Sequence, residues 1–380
     1  MFYQQKIIKV GDKMGLGLYI AYRKIKNNLT SLSEHVERNV IKLYEIKKVR
    51  NKKRKNLYAK LTDEQKRAID KFYLKNWGEK IPYNWHQLYT SFTGNFDEKY
   101  FPDFLYSSLL ERIWNTERYK YALEDKNLLP LICQNINGVV TPKLLVSCVN
   151  GLLRDEHYNI INEEIALDIL KNYNEVFVKP SIGTCSGNGC KKIRTEKISI
   201  NVLKKIYNGN FSIQEIIKNH KVLKDLYPYG VNTFRVISYI WNDKINLCPV
   251  ALRLGKDKNY LDNVHAGGIS VGVKESGELM PYAFTEFQEK FSCHPDTKVV
   301  FNDYLIPQYK RILESVKLLH ANIPYLGIIH WDITIDENNN IVVVEANTYD
   351  GSIWLPQFAT GRSLFGDDTA GILQMLRKYK

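Results

Sequence analysis

The stretch Gly327-Ile-Ile-His-Trp-Asp332-Ile-Thr-Ile-Asp-Glu-Asn-Asn-Asn-Ile-Val-Val-Val-Glu345-Ala-Asn347 decides how this chain is read. Two apolar runs, Gly327 to Ile335 and Ile341 to Glu345, flank the polar segment Asp336 to Asn340. β-branched runs separated by Asp and Asn predict a hairpin. Glu345 and Asn347 are two residues apart and share a strand face. If the hairpin registers about its turn, Asp332 faces them. Carboxylates on strands otherwise made of Ile and Val are expensive unless partnered. The alternative is a surface hairpin with ordinary polar residues.

Two carboxylates and an amide oxygen form a hard-oxygen set. That set suits Mg²⁺, which keeps waters and completes its shell with phosphate oxygens, better than Zn²⁺, which prefers His and Cys.

Working outward, Val176-Phe-Val-Lys179-Pro180 reads as a strand ending in a cation. Ser181-Ile-Gly183-Thr-Cys-Ser186-Gly187-Asn-Gly189 follows as a loop whose backbone amides can approach phosphate. It lacks the glycine–lysine order of a P-loop, and a strand, Lys191 to Arg194, comes next. Phe211 to Ile217 reads as a strand that turns into a connector carrying Gln214 and Glu215. Asn232 to Ile240 and Ile245 to Arg253 form a further hairpin about Asn242-Asp243, each strand with one Arg among apolar neighbours. Arg is rarely buried without an anion to meet. Ile306 to Leu319 reads as an amphipathic helix with Pro307 in its first turn. Upstream, Asp125-Lys126 precedes Leu131-Ile-Cys and Leu144 to Val149, all read as strands. Thr62 and Gln65 predict a capping box, and Asp103 to Trp114 a helix in an aromatic-rich region.

The net charge of +13 is concentrated at one end: residues 1–60 hold sixteen Lys and Arg against four Asp and Glu. Leu18, Ala21, Tyr22, Ile25, Leu29, Leu32, Val36, Val40 and Leu43 recur at helical spacing there. This basic arm is open to three readings: a solvated linker helix, attachment to an anionic membrane face, or nucleic-acid contact. The last is disfavoured because no recognisable nucleic-acid module stands behind the charge. No run reaches the roughly 18 apolar residues a membrane span needs. Six scattered cysteines without a zinc-like spacing lead us to expect reduced thiols and a cytoplasmic protein, with peripheral placement at the inner membrane face if the arm binds lipid.

Taken together, Asp332 with Glu345-x-Asn347, Lys179-Pro180 with its glycine loop, Gln214-Glu215, Asn232-Thr-x-Arg235, Arg253-Leu-Gly255 and Asp262-Asn263-x-His265-Ala-Gly-Gly268 resemble the ATP-grasp superfamily. Within it, the set is most similar to the sugar-transfer-associated family linked to polysaccharide assembly, over about residues 61–365. The resemblance implies an α/β (α+β) fold of two ATP-grasp subdomains behind a helical N-terminal region. The expected boundaries are 1–60 (basic helical arm), 61–120 (helical), 121–210 (subdomain with the glycine lid) and 211–380 (subdomain with the metal site). It further implies ATP and one or two Mg²⁺. Lys126, Lys179, Gly183, Ser186, Gly187, Gly189 and Asn263 would hold the nucleotide phosphates, Gln214 and Glu215 the adenine, and Asp332, Glu345 and Asn347 the metal. Arg253 and Arg235 would neutralise the transferring phosphoryl group, and His265 would position substrate or hold its loop.

The implied chemistry is carboxylate–amine ligation through an acyl phosphate, with a sugar carboxylate such as a uronic acid and an amino acid or other amine as partners. A sugar kinase of the same fold, with Asp350 or His265 as base, and a membrane-associated ATP-binding scaffold are the alternatives. Two departures stand out: His330 ahead of Trp331-Asp332, and Tyr349-Asp350-Gly351 where the family has Pro-Gly.

Overall fold

The computed structural model describes residues 32–50, 58–183, 189–323 and 325–380. The helical expectation for residues 1–31, most of the basic run, and Ser186 and Gly187 lie outside them. Residues 32–50 are helical as expected. The next helix, Asp63–Asn76, starts at the predicted capping box: Thr62 Oγ1 accepts from Gln65 N and Gln65 Oε1 accepts from Thr62 N. Asp103 to Trp114 is helical throughout, but Tyr106–Leu110 forms a wide i→i+5 turn inside it. These N-terminal helices bury Tyr73, Trp85, Tyr89, Phe92 and Phe104 in one core with Phe358, Phe365 and Leu373 from the chain's end.

Two sheets carry the rest. The larger runs Val139–Val140, Ile341–Asn347, Ile328–Ile335, Thr233–Trp241, Val250–Leu254, Ile269–Val273, Leu279–Phe284, Lys290–Phe291. All eight residues of Ile328–Ile335 are buried, as a central strand demands. Val139–Val140 pairs parallel with Ile341 and Val342, so this part of the 121–210 stretch sits with the larger sheet. The smaller sheet runs Ile160–Ile161, Leu152–Arg154, Leu144–Val149, Phe211–Gln214, Glu175–Pro180, Lys191–Arg194 around its own core of Val146, Val178, Phe211 and Ile213.

Four expectations change in the structure. Leu131-Ile-Cys is not a strand but part of the short helix Leu129–Ile132, where Pro130 occupies the first turn and Leu129 and Cys133 turn inward. The Ile306–Leu319 helix begins later, at Tyr309, with Pro307 ahead of it. The strand expected over Ile245 to Arg253 is broken at Cys248-Pro249, since proline cannot donate to the ladder; its halves Lys244–Leu247 and Val250–Leu254 both pair with Thr233–Trp241.

The fourth change concerns the opening hairpin. Ile335 lies opposite Ile341, and regular pairing from there would set Val344 against Asp332 and turn Glu345 to the other face. A bulge at Val344 shifts the register by one, so Asp332 lies opposite Glu345 and His330 opposite Asn347. The acidic cluster exists because of this extra residue, not because of the turn.

Candidate active site

A cleft between the two sheets gathers the predicted residues. Lys126, Lys179, Gln214, Glu215, Arg235, Arg253, Asn263, Asp332, Glu345 and Asn347 all line it, with Phe177, Cys190 and Tyr260. Gly183 lines the adjoining chamber and not this cleft, and both Gly183 and Gly189 adopt left-handed backbone that favours glycine. Trp331, on the opposite face of the Asp332 strand, anchors that strand by donating its indole N–H to Ser238 Oγ at 2.8 Å.

The charges pair across strands. Arg235 and Asp332 are cross-strand neighbours; the guanidinium donates through Nε (2.7 Å) and Nη2 (3.3 Å) to the two carboxylate oxygens. Arg253 Nη2 stands 3.0 Å from Asp332 Oδ2 and donates to Thr233 Oγ1, which in turn bonds Asp262. Burial pushes the Asp332 carboxyl up, but the two guanidinium groups outweigh it and hold its pKa below the ordinary carboxylate range. Burial likewise opposes the charge on Arg253, yet Asp262 and Asp332 keep it firmly protonated. Asp262 is shifted upward, mainly by burial against the pull of Arg253. Lys126 Nζ contacts Glu345 Oε1 at 2.9 Å, and its backbone N–H is fixed by Ser181 O. Lys179 is buried with its pKa lowered, because desolvation outweighs the attraction of Glu345.

Two buried ammonium groups facing one cleft call for an anion of several charges. Gln214 lines the cleft, and its Oε1 is buried without a hydrogen-bond partner among the described residues. Asp332, Glu345 and Asn347 share one sheet face, a donor set that fits Mg²⁺ with phosphate oxygens completing its shell. Among the described residues no group of three His, Cys, Asp or Glu forms a cation cage. Asp332 shares its oxygens with the two arginines. The donor types suit Mg²⁺ beside a nucleotide; an ion there would be held by Asp332, Glu345 and Asn347 in competition with Arg235, Arg253 and Lys126.

A second chamber adjoins the cleft and shares its wall of Arg235, Arg253, Asn263, Glu345 and Asn347. Its other side is formed by Lys120, Glu124, His265 and the segment Tyr349 to Ser352. His265 is half-exposed; its Nδ1 lies 2.5 Å from Glu286 Oε2 and its ring packs on Trp354. Asn263 Oδ1 accepts from His265 N at 2.8 Å, so Asn263 also shapes this loop. Asp350 is held by Lys120 at 2.7 Å and approached by Arg112 at 3.8 Å. Beyond His265 and Trp354 lies a cavity of about 510 Å³ walled by Tyr44, Tyr58, Trp85, Leu88 and Phe287. Sequence reasoning missed Lys120, Glu124 and Glu111, whose local surroundings carry no motif.

The fold and this two-chamber site define an ATP-grasp protein. The chain belongs to the sugar-transfer associated ATP-grasp family, which it matches over residues 106–370. No curated protein matches its sequence. Similar solved structures include a biotin carboxylase complex from Campylobacter jejuni (13% identity, 68% of this chain and 47% of that one, TM-score 0.40). A D-Ala:D-Ser ligase from Enterococcus faecalis (15%, 67% and 60%, TM-score 0.37) also matches. So does an ADP complex of N5-carboxyaminoimidazole synthetase from Staphylococcus aureus (14%, 60% and 46%, TM-score 0.35). The chain spans 46–60% of the length of these three proteins.

Proposed function

We propose that this protein is a carboxylate–amine ligase that uses ATP and Mg²⁺ to join an amine or amino acid to a sugar carboxylate such as a uronic acid. One observation carries the reading: the cleft with the buried lysines and the adjoining chamber share the wall of Arg235, Arg253, Glu345 and Asn347. A nucleotide held by Lys126 and Lys179 would thus present its terminal phosphate to whatever fills the chamber.

ATP is then a substrate. A carboxylate oxygen of the acceptor attacks the γ-phosphorus, the bond to the bridging oxygen breaks, and ADP leaves with that electron pair. The amine attacks the acyl carbon, the bond to the phosphate oxygen breaks, and phosphate departs while the nitrogen's proton passes to solvent. Mg²⁺, when bound by Asp332, Glu345 and Asn347, supplies charge neutralisation at the phosphates. Arg253 and Arg235 present fixed positive charge where the transferring group passes, which costs no reorganisation during reaction. The remaining contribution is positioning of the two partners.

ADP and phosphate release over a matrix of uronic-acid sugars and amino acids tests this. Release of both products only with acid and amine together establishes the ligase. ADP without free phosphate, independent of amine, points instead to a kinase with Asp350 or His265 as base. Binding of ATP with turnover on no pair would favour the scaffold.

A separate observation bears on location. No described helix is long and apolar enough to cross a membrane. Helix 32–50 nevertheless exposes Leu32, Val36, Val40, Leu43 and Tyr44 along one side, while Val49 packs on the body. Arg38, Lys42 and Lys47 accompany that stripe. An anionic bilayer suits this combination. Cosedimentation with phosphatidylserine vesicles, lost in Val36→Asp/Val40→Asp, is the expected result; equal binding by that variant would exclude it.

A further inference from the structure

The two departures noted in the sequence, His330 and the Tyr349-Asp350-Gly351 run, meet in space. A Cβ on Gly351 would come within 2.6–2.9 Å of the His330 ring atoms Nε2, Cε1 and Cδ2, so only glycine packs there. The hydroxyl of Tyr106 lies 2.6 Å from His330 Nε2 and 3.2 Å from Glu111 Oε1. Glu111 Oε1 accepts the Gly351 N–H at 2.8 Å and Oε2 the Asp350 N–H at 3.1 Å. The circuit His330, Tyr106, Glu111, Gly351 closes on itself, and its three side chains are at most 1% exposed. The wide turn over Tyr106–Leu110 makes this possible, since Glu111 N bonds Tyr106 O five residues back and stacks the two side chains.

A second carboxylate continues the pattern. Glu124 Oε1 accepts from Thr348 N (2.7 Å), Thr348 Oγ1 (3.1 Å) and Tyr349 N (3.1 Å). Four successive amides, 348 to 351, therefore each donate to one of two carboxylates that belong to a different part of the chain. Asp350 sits in left-handed backbone at φ 58°, a conformation that persists only where the surroundings over-determine it. Tyr349, Asp350 and Gly351 line the chamber beside Glu124, while Glu111 holds the segment from outside that lining.

We propose that Glu111, Tyr106, His330 and Glu124 are positioning residues that hold segment 348–351 in place as the acceptor-facing wall of the chamber, and thereby set acceptor affinity. This assignment of the wall rests on the ligase reading given above. Without the carboxylates the segment would carry four unpaired amides, and binding would have to order it. With them, that ordering is complete before the acceptor arrives.

Amide hydrogen exchange on the full chain tests the anchoring without any turnover. Glu111→Gln removes one acceptor, and exchange at Asp350 and Gly351 should accelerate about tenfold while Thr348 and Tyr349 change less. Glu124→Gln should show the reverse pattern. Tyr106→Phe keeps both carboxylates and guards against a Glu111 variant that does not fold; it should raise exchange at Gly351 to a smaller degree. In turnover, the Glu111 and Glu124 variants should raise the acceptor KM about tenfold and leave the ATP KM unchanged. Unchanged exchange at 350–351 in Glu111→Gln overturns the proposal, as does faster exchange with an unmoved acceptor KM. Absence of acceptor-dependent ADP release in the wild type would sink the ligase reading alone, because exchange still decides the anchoring.

Discussion

The cleft proposed for the nucleotide and the chamber proposed for the acceptor share a wall but are built on opposite plans. In the cleft, Asp332 and Glu345 stand on strands and are met by cations: Arg235 from the neighbouring strand and Arg253 from the strand beyond it on Asp332, and Lys126 from a turn on Glu345. In the chamber, much of the wall is irregular backbone, held by two carboxyl groups: Glu124, which also lines the chamber, and Glu111, which stands behind it. The half proposed to handle phosphate thus takes its geometry from its sheet. The half that meets the acceptor owes its shape to contacts from the helical region.

The largest effect should come from breaking the cleft. Asp332→Ala should lower ADP release about 10³-fold, by removing a proposed metal ligand and taking from Arg235 its carboxylate and from Arg253 one of two. Asp332→Asn, close in shape, separates catalytic loss from unfolding when both are followed by thermal melting. Lys179→Met should raise the ATP KM on the order of 10- to 100-fold and spare the acceptor KM. If both constants rose together, the two regions would not be functionally separate.

Gly351→Ala sharpens the comparison from the other side. The new methyl must displace the His330 ring, costing about 1–3 kcal/mol of stability, and the acceptor KM should rise with the ATP KM unmoved. A melt equal to wild type would mean the glycine is not packed as described.

Glu111 adds a pH signature. Burial raises its carboxyl from an ordinary value near 4.5 to about 8. Between those values the unfolded chain has released a proton that the folded chain keeps. The stabilising contribution is therefore complete below the lower value and lost as pH rises through the upper one. From pH 6 to 9 the unfolding free energy should fall by on the order of 2–3 kcal/mol more in wild type than in Glu111→Gln, read from urea titrations. The smallest effect is expected at His265: its ring is half-exposed, so His265→Ala should change kcat by less than about tenfold unless it serves as a base.

The cleft was far more legible in the sequence than the chamber, and the reason is physical. Asp332, Glu345, Lys179 and Arg253 are charged residues inside apolar strands, an arrangement whose cost advertises a function. Their grouping, though, depends on Val344, and nothing in a run of four β-branched and apolar residues says which one bulges. Lys126 was readable only through resemblance, because an exposed lysine would look the same. The chamber's supports were not legible: Glu111 lies 239 residues from Asp350, inside a helix whose wide turn has no periodic signature. Ser186 and Gly187, expected in the lid, fall outside the described residues, so their part rests on the sequence.

The bulge at Val344 also has a meaning at the level of the gene. Because Val344 is the extra residue, removing its codon would leave Ile333 opposite Val343 and Asp332 opposite Glu345 as successive rungs of an unbroken ladder. Such an in-frame deletion would keep every charged residue of the site and also its facing pairs. The hairpin should therefore tolerate loss of Val344, whereas a pairing that takes Val344 into the ladder would turn Glu345 and Asn347 away from Asp332.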